Sequence, residues 1–181
     1  RKDGIVGASR AGVEAWLRGL KQTEVIVGDA RFVAHATLEV AGRRLTAPRI
    51  FLNVGGRSVR PDLPGIDSVP TLDNTSIMEL DRVPEHLVIV GGSYIGLEFA
   101  SFFAAAGAQV TVLEMLPEIA AGIDRDIAQR LRQSMAKSGV AFKTSCRVTA
   151  IEASTVRCED GRTVAAGCVL NATGRVPVLD G

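Results

Sequence analysis

LVIVGGSYIGLEFASFFAAAG, residues 87–107, followed by QVTVLE, residues 109–114, governs the reading of the whole chain. An apolar run of strand length meets two glycines, passes into an alanine- and phenylalanine-rich helical stretch, and returns as a second apolar strand. Strand, glycine turn, helix and strand in that order form the parallel βαβ unit. The turn Gly91-Gly92-Ser93-Tyr94-Ile95-Gly96 approximates GxGxxG, with Ser93 where the second glycine belongs. Glu114 closes the next strand about 20 residues past the first glycine, where a Rossmann-like fold sets a carboxylate against the ribose hydroxyls of a dinucleotide. Free amides at the helix start suit a pyrophosphate. The bland alternative is a glycine turn kept only for close helix-to-strand packing, with Glu114 a solvated strand-end carboxylate. Ser93 carries a Cβ that limits backbone approach to a pyrophosphate, though its side chain is small.

Two side chains of the helix stand out. Leu97, Phe99, Phe102, Phe103 and the alanines make it apolar on every side, which predicts a helix buried all round. Glu98 is its single charge. A buried carboxylate needs a cation or a cavity, so Glu98 is a candidate catalytic position unless the helix start lies close enough to water to hydrate it. Tyr94 is either a packing aromatic or a second functional residue. Glu114 also bears on the ligand, because a carboxylate accepts ribose hydroxyls and repels a 2′-phosphate. Met115, Leu116, Pro117 and Glu118 bring no arginine to offset it, so NADH is expected over NADPH.

Outward from this unit, Asp124 is a candidate N-cap for a second helix carrying Ile127, Leu131 and Met135 on one face and stopping at Gly139. Its opposite face, with Arg125, Gln129 and Gln133, is expected to be solvated. Strand-like segments follow, and Asp160-Gly161 is a hairpin turn signal. Upstream, Val13, Trp16, Leu17 and Leu20 predict an amphipathic helix over 11–20. Glu24 to Val27, Ala30 to Ala34, Thr37 to Val40 and Leu45 to Val54 read as a β-meander. RSVRPDLPGIDSVP, residues 57–70, reads as a connector between two structural units because prolines fix φ and remove amide donors.

With 21 Lys+Arg against 20 Asp+Glu the net charge is +1, which leaves no electrostatic footprint for nucleic acid or an anionic membrane. No apolar stretch reaches the ~20 residues needed to span a bilayer. Cys146, Cys158 and Cys168 are odd in number and form no CxxC pair. They read as small hydrophobes on buried strands rather than a disulfide scaffold or a zinc knuckle. No metal site is expected, and His35 and His86 are expected to be structural. The chain opens RKDGIVGASR, without Met or a signal-peptide core, so it is expected to be a fragment lacking the natural first residues, and a cytoplasmic location is expected.

VIVGGSYIGLEFA with TVLE is similar to the NAD(P)H fingerprint of the flavin-dependent pyridine nucleotide-disulfide oxidoreductases, which include dihydrolipoyl dehydrogenase, glutathione reductase and mercuric reductase. Asn171-Ala172-Thr173-Gly174-Arg175-Val176-Pro177 resembles the ATGRxP segment at which such chains return to their flavin domain. LNVGGRSVRPDLPGI, with Gly55 in it, resembles the earlier ATGxRPxxPxI crossing; Asn53 and Val54 replace Ala-Thr, and Ser58 replaces Pro. GDARFVAHATLEVAGRRLTAPRIFLNVGGR looks most like the mercuric reductase-like branch.

The resemblance implies an α/β fold with a complete Rossmann-like NAD(P)H-binding domain at 81–176. Part of an FAD-binding domain would lie at 1–80, and 177–181 would return to it. Gly91, Gly92, Ser93, Tyr94, Ile95, Gly96, Glu114 and Met115 would hold the nucleotide, and Gly55, Thr173, Gly174 and Arg175 would lie at the crossings to FAD. Tyr94 would gate the flavin. Glu98 would lie near the nicotinamide and pair with a flavin-side lysine outside this chain. The family's FAD-binding GxGxxG, its CxxxxC disulfide, its GD segment and its dimerisation domain with a His-Glu pair are likewise outside it, so the fragment alone is expected not to turn over. The intact protein is expected to be a homodimer that passes hydride from NADH to FAD and then to a disulfide or metal/thiol acceptor. A dihydrolipoyl dehydrogenase or NADH oxidase/peroxidase relative is the rival enzyme, and a non-catalytic nucleotide-binding module the rival of another class. A short-chain Rossmann dehydrogenase is excluded, since no YxxxK pair follows the turn and Tyr94 is the one tyrosine.

Overall fold

Helix α1, Lys2–Gly19, opens nine residues ahead of its expected start at residue 11, in a computed structural model that describes residues 1–152 and 154–179. It buries no residue, and Trp16 stays 64% exposed. Glu14 and Arg18, one turn apart, pair at 2.8 Å on its surface. Strands β1 (Arg31–Ala34), β2 (Thr37–Val40) and β3 (Arg43–Thr46) follow as an antiparallel meander. Ala41 and Gly42 both take positive φ, 49° and 73°, as the two-residue turn from β2 to β3 requires. The run from Glu24 to Val27 is not a strand: Glu24 is instead held by the Arg43 guanidinium. Pro48, lacking an amide donor, lies two residues past the end of β3, so most of the run expected from Leu45 to Val54 is irregular. These residues, Arg1–Val54 with Leu179, form one compact unit, and Gly55–Val178 forms the other.

The second unit begins with β4 (Gly56–Ser58), β5 (Thr71–Leu72) and a 3-10 turn at Ser76–Glu79. It continues through β6 (His86–Val90), α2 (Tyr94–Ala105), β7 (Gln109–Leu113), α3 (Arg125–Lys137) and β8 (Val140–Lys143). Strands β9 (Val148–Glu152), β10 (Thr155–Cys158) and β11 (Thr163–Ala165) form an antiparallel sheet, and Asp160-Gly161 turns β10 into β11 as expected. Strand β12 (Cys168–Asn171) enters the main sheet, and β13 (Arg175–Pro177) pairs antiparallel with β4.

The main sheet is parallel, in the order β5-β12-β6-β7-β8. Its central strands read as largely apolar runs, with Thr111 the polar residue inside β7, because both faces are covered. Leu87 and Ile89 point into a core with Leu97, Ala100 and Phe103 of α2 and Met135 of α3. Val88 and Val90, one residue out of phase, point into a second core with Ile151, Val156 and Val164 of the antiparallel sheet. Each of the larger side chains, Ala100 apart, contributes roughly 1.5–3 kcal/mol on burial.

Four expectations need correction. Helix α2 is not buried all round: it buries Gly96, Leu97, Ala100 and Phe103, while Phe102 is 63% exposed. Helix α3 buries Ala128 and Met135 but leaves Ile127 and Leu131 exposed, so its buried face is rotated from the expected stripe. Asp124 sits at its N-cap without a side-chain capping bond. The proline-rich stretch, read as a connector, lies within the second unit and is packed there: Ile66 and Val69 are buried in the second core, and Pro64 accepts the Ile151 amide at 2.8 Å. Finally, Cys146 and Cys158 form a disulfide, buried at both ends, with Cα atoms 5.7 Å apart. Only Cys168 remains a free buried thiol, its pKa pushed up by that burial.

Candidate nucleotide site

Strand β6 has β7 on one side and β12 on the other, and the chain leaves it toward β7. Its C-terminal end is therefore a topological switch point, where open parallel sheets bind ligands. Gly91 takes φ +110°, and a Cβ there would lie 2.4 Å from the Ala172 carbonyl oxygen at the end of β12. A Cβ at Gly96 would lie 2.2 Å from the Gly91 oxygen, so this glycine seats α2 against the turn. Both outer glycines of the motif are thus fixed by close approach. Ser93 differs: it is the N-cap of α2 at φ −84° and ψ 176°, extended backbone open to any residue. Glycine is conformationally unnecessary there.

No side chain caps α2, and the first-turn amides of a helix have no partner within it. Those of Tyr94, Ile95 and Gly96 stand in that first turn, beside the glycines. Glu114 reaches back to the same turn, its Oε2 accepting the Gly92 amide at 2.7 Å and its Oε1 the Leu116 amide at 2.8 Å. Each oxygen keeps a second lone pair.

A cavity of about 280 Å³ opens here, and its lining includes Gly91, Ser93, Glu114, Met115 and Thr173. Five of the sequence candidates are thereby brought together. Thr173 is oriented by Asn171, whose Oδ1 accepts its hydroxyl at 2.8 Å. The other crossing residues lie apart from this cavity. Arg175 on β13 donates to the Gly56 carbonyl, Gly174 accepts the Val59 amide at 3.0 Å, and Gly55 accepts the Val178 amide at 3.1 Å. The β4–β13 ribbon thus joins the two motifs that the sequence places more than a hundred residues apart. Tyr94 and Glu98, one turn apart on α2, are both exposed, Tyr94 at 65%. The burial argument for Glu98 therefore does not apply in this chain.

Two further cavity residues were not singled out as site candidates, although Ala172 lies within the ATGRxP-like motif. Ala172 matters through its backbone oxygen. Arg147 lies on the β8–β9 loop, and the sign that could have found it is its place just past the C-terminal end of a parallel strand. Among the described residues no cluster of His, Cys, Asp and Glu could hold a metal ion, and no helix is long and apolar enough to cross a membrane.

A parallel sheet with a glycine turn opening a helix at its switch point defines a Rossmann-like α/β unit. The chain belongs to the pyridine nucleotide-disulphide oxidoreductase family, whose model matches residues 4–181. It is 37% identical over 164 residues to a glutathione reductase of Nostoc, covering 87% of this chain and 35% of that protein. To a mercuric reductase of Bacillus cereus it is 32% identical over 168 residues, covering 86% of this chain and 26% of that one. The solved HOCl-induced flavoprotein disulfide reductase RclA of Escherichia coli superposes with a TM-score of 0.86 at 34% identity, over 99% of this chain and 42% of its own. The chain thus spans about a third of the curated relatives it matches.

Proposed function

We propose that this chain is the nucleotide-binding part of an FAD-containing disulfide oxidoreductase that passes hydride from NADH to flavin and then to a disulfide or metal/thiol acceptor. The observation that carries the reading is the junction of Gly91, Ala172 and the uncapped start of α2, with Glu114 beside it, at the switch point of the sheet. The residues present fit the nucleotide. Amides of the first turn of α2 would hold its pyrophosphate, and the free lone pairs of Glu114 would accept ribose hydroxyls. The same carboxylate disfavours a 2′-phosphate, so NADH is the preferred ligand.

Nicotinamide and flavin supply the hydride chemistry when bound, and the chain supplies orientation and exclusion of water. Tyr94 and Glu98 share one exposed face of α2, the face this reading turns toward the flavin. Tyr94 would cover the flavin until nicotinamide displaces it, and Glu98 would meet a flavin-side lysine. Gly55, Thr173, Gly174 and Arg175 would border FAD. Residues 1–80 and 177–181 would belong to the flavin domain and 81–176 to the NAD(P)H domain of a cytoplasmic homodimer.

Calorimetric titration of the chain with NADH tests the site. Saturable binding, abolished by Gly91→Ala, is expected, and NADPH binding more tightly than NADH would overturn the stated preference. An antibody against the chain, applied to extracts of its source cells, tests the larger reading. A native product at least about twice the 19.1 kDa of this chain is expected, and one of the same mass leaves a non-catalytic binding module.

A further inference from the structure

We propose that Arg147 is a specificity-determining residue, which reads the 2′ position of the adenosine ribose and lets the cavity tolerate a 2′-phosphorylated nucleotide despite Glu114. The inference rests on the nucleotide reading above. Of the described side chains lining the cavity, only Glu114 and Arg147 are charged, one of each sign. Arg147 also lines a neighbouring hollow of about 230 Å³ together with Met115, Ser145, Glu159 and Asp160. Met115, which directly follows Glu114, borders both spaces. Arg147 therefore lines the part of the cavity that Met115, the residue next to Glu114, also borders.

The two charged groups differ in their freedom. Glu114 is tied to the glycine turn, since each of its oxygens already accepts a backbone amide. Those two amide dipoles also reduce the negative potential that a 2′-phosphate would meet. Arg147 has a fixed backbone and a loosely held head. Its carbonyl accepts the Glu159 amide at 2.8 Å, and its neighbour Cys146 is bonded to Cys158. Its guanidinium meets Glu159 only at 3.7 Å, with the two side chains 57% and 70% exposed, a weak pair that salt screens. The nearby Asp160 is already bonded by Arg162. A fork of donors on a rigid loop, held by one long ion pair, is suited to capturing a phosphate.

Calorimetric titration of the 181-residue chain with NADH and with NADPH provides the test. Wild-type protein is expected to bind NADPH within about tenfold of NADH. Arg147→Ala should weaken NADPH about tenfold more than NADH, and Arg147→Lys should retain part of the difference. Added salt should weaken NADPH more than NADH in the wild type but not in Arg147→Ala. Circular dichroism checks that the variant is folded; should it not be, the wild-type salt dependence decides the question. If Arg147→Ala changes both affinities equally, or neither, the inference is overturned while the nucleotide reading stands. If the wild type binds NADH but no measurable NADPH, the inference again fails alone. A wild-type chain that binds neither nucleotide overturns both.

Discussion

The Gly91 backbone passes so close to Ala172 that a Cβ on the glycine would stand 2.4 Å from the alanine carbonyl oxygen. The contact joins the first strand of the βαβ unit to the last strand of the sheet, and it leaves no room for a side chain at the head of the glycine turn. Gly91→Ala should cost about 3 kcal/mol or more, combining a positive-φ penalty with a backbone clash. Gly107→Ala is the control: Gly107 has φ +98° but nothing within 4 Å of an added methyl, so the φ penalty alone, about 1–2 kcal/mol, is expected. Urea denaturation of the two variants compares them, and equal losses would show that the approach to Ala172 costs nothing.

The disulfide between Cys146 and Cys158 closes a loop with a sequence separation of 12 and ties the segment after β8 to the end of β10. A cross-link over a loop of that size stabilises by about 3 kcal/mol, mainly by restricting the unfolded chain. Reduction with dithiothreitol, or the double change Cys146→Ala with Cys158→Ala, should lower the unfolding free energy by that order. Adding reductant to the double variant should then have no further effect. A wild-type protein whose denaturation midpoint ignores reductant would show that the bond adds no stability.

The parallel unit was legible because its signals are local. Val88 and Ile89 sit in an apolar run, glycines follow it, and a helical stretch comes next, so the nearest few residues specify the element. Glu114 was legible by spacing. The exposed face of α2 was not, since Phe102 looks like a core residue in any pattern that counts only hydrophobicity, and burial depends on what lies opposite. The Cys146–Cys158 pair and the place of Arg147 in the cavity beside Glu114 were hidden for a related reason. Both depend on how the β8–β9 loop and the β9-β10-β11 sheet return to the main sheet, which is long-range packing with no local motif.

His86 begins β6, where its Nε2 lies 3.0 Å from the hydroxyl of the buried Thr111, and desolvation lowers its pKa below the ordinary 6.5. The folded state therefore favours the neutral ring. A group with a depressed folded pKa contributes stability that is present above its unfolded pKa and lost as pH falls toward the folded one. Stability should accordingly decline as pH drops below about 6.5, ahead of the carboxylate region. His86→Gln should flatten that part of the curve. Denaturation midpoints at closely spaced pH values measure it, and an unchanged slope in the variant would assign the decline to other groups.

Glu98 shares the exposed face of α2 with Tyr94 and Phe102, which lie one turn to either side and are 65% and 63% exposed. An exposed carboxylate contributes little to the fold, so Glu98→Gln should change the stability of the chain by less than about 0.5 kcal/mol. If the proposed function holds, the same change in a flavin-loaded, longer form of the protein should slow flavin reduction by NADH about tenfold or more, because the variant keeps the shape of the side chain and loses the charge that would meet a flavin-side lysine. Stopped-flow bleaching of the flavin reads this step apart from later electron transfer. A change in neither stability nor bleaching would leave Glu98 a hydrated surface residue, and a loss of stability alone would give it a packing role.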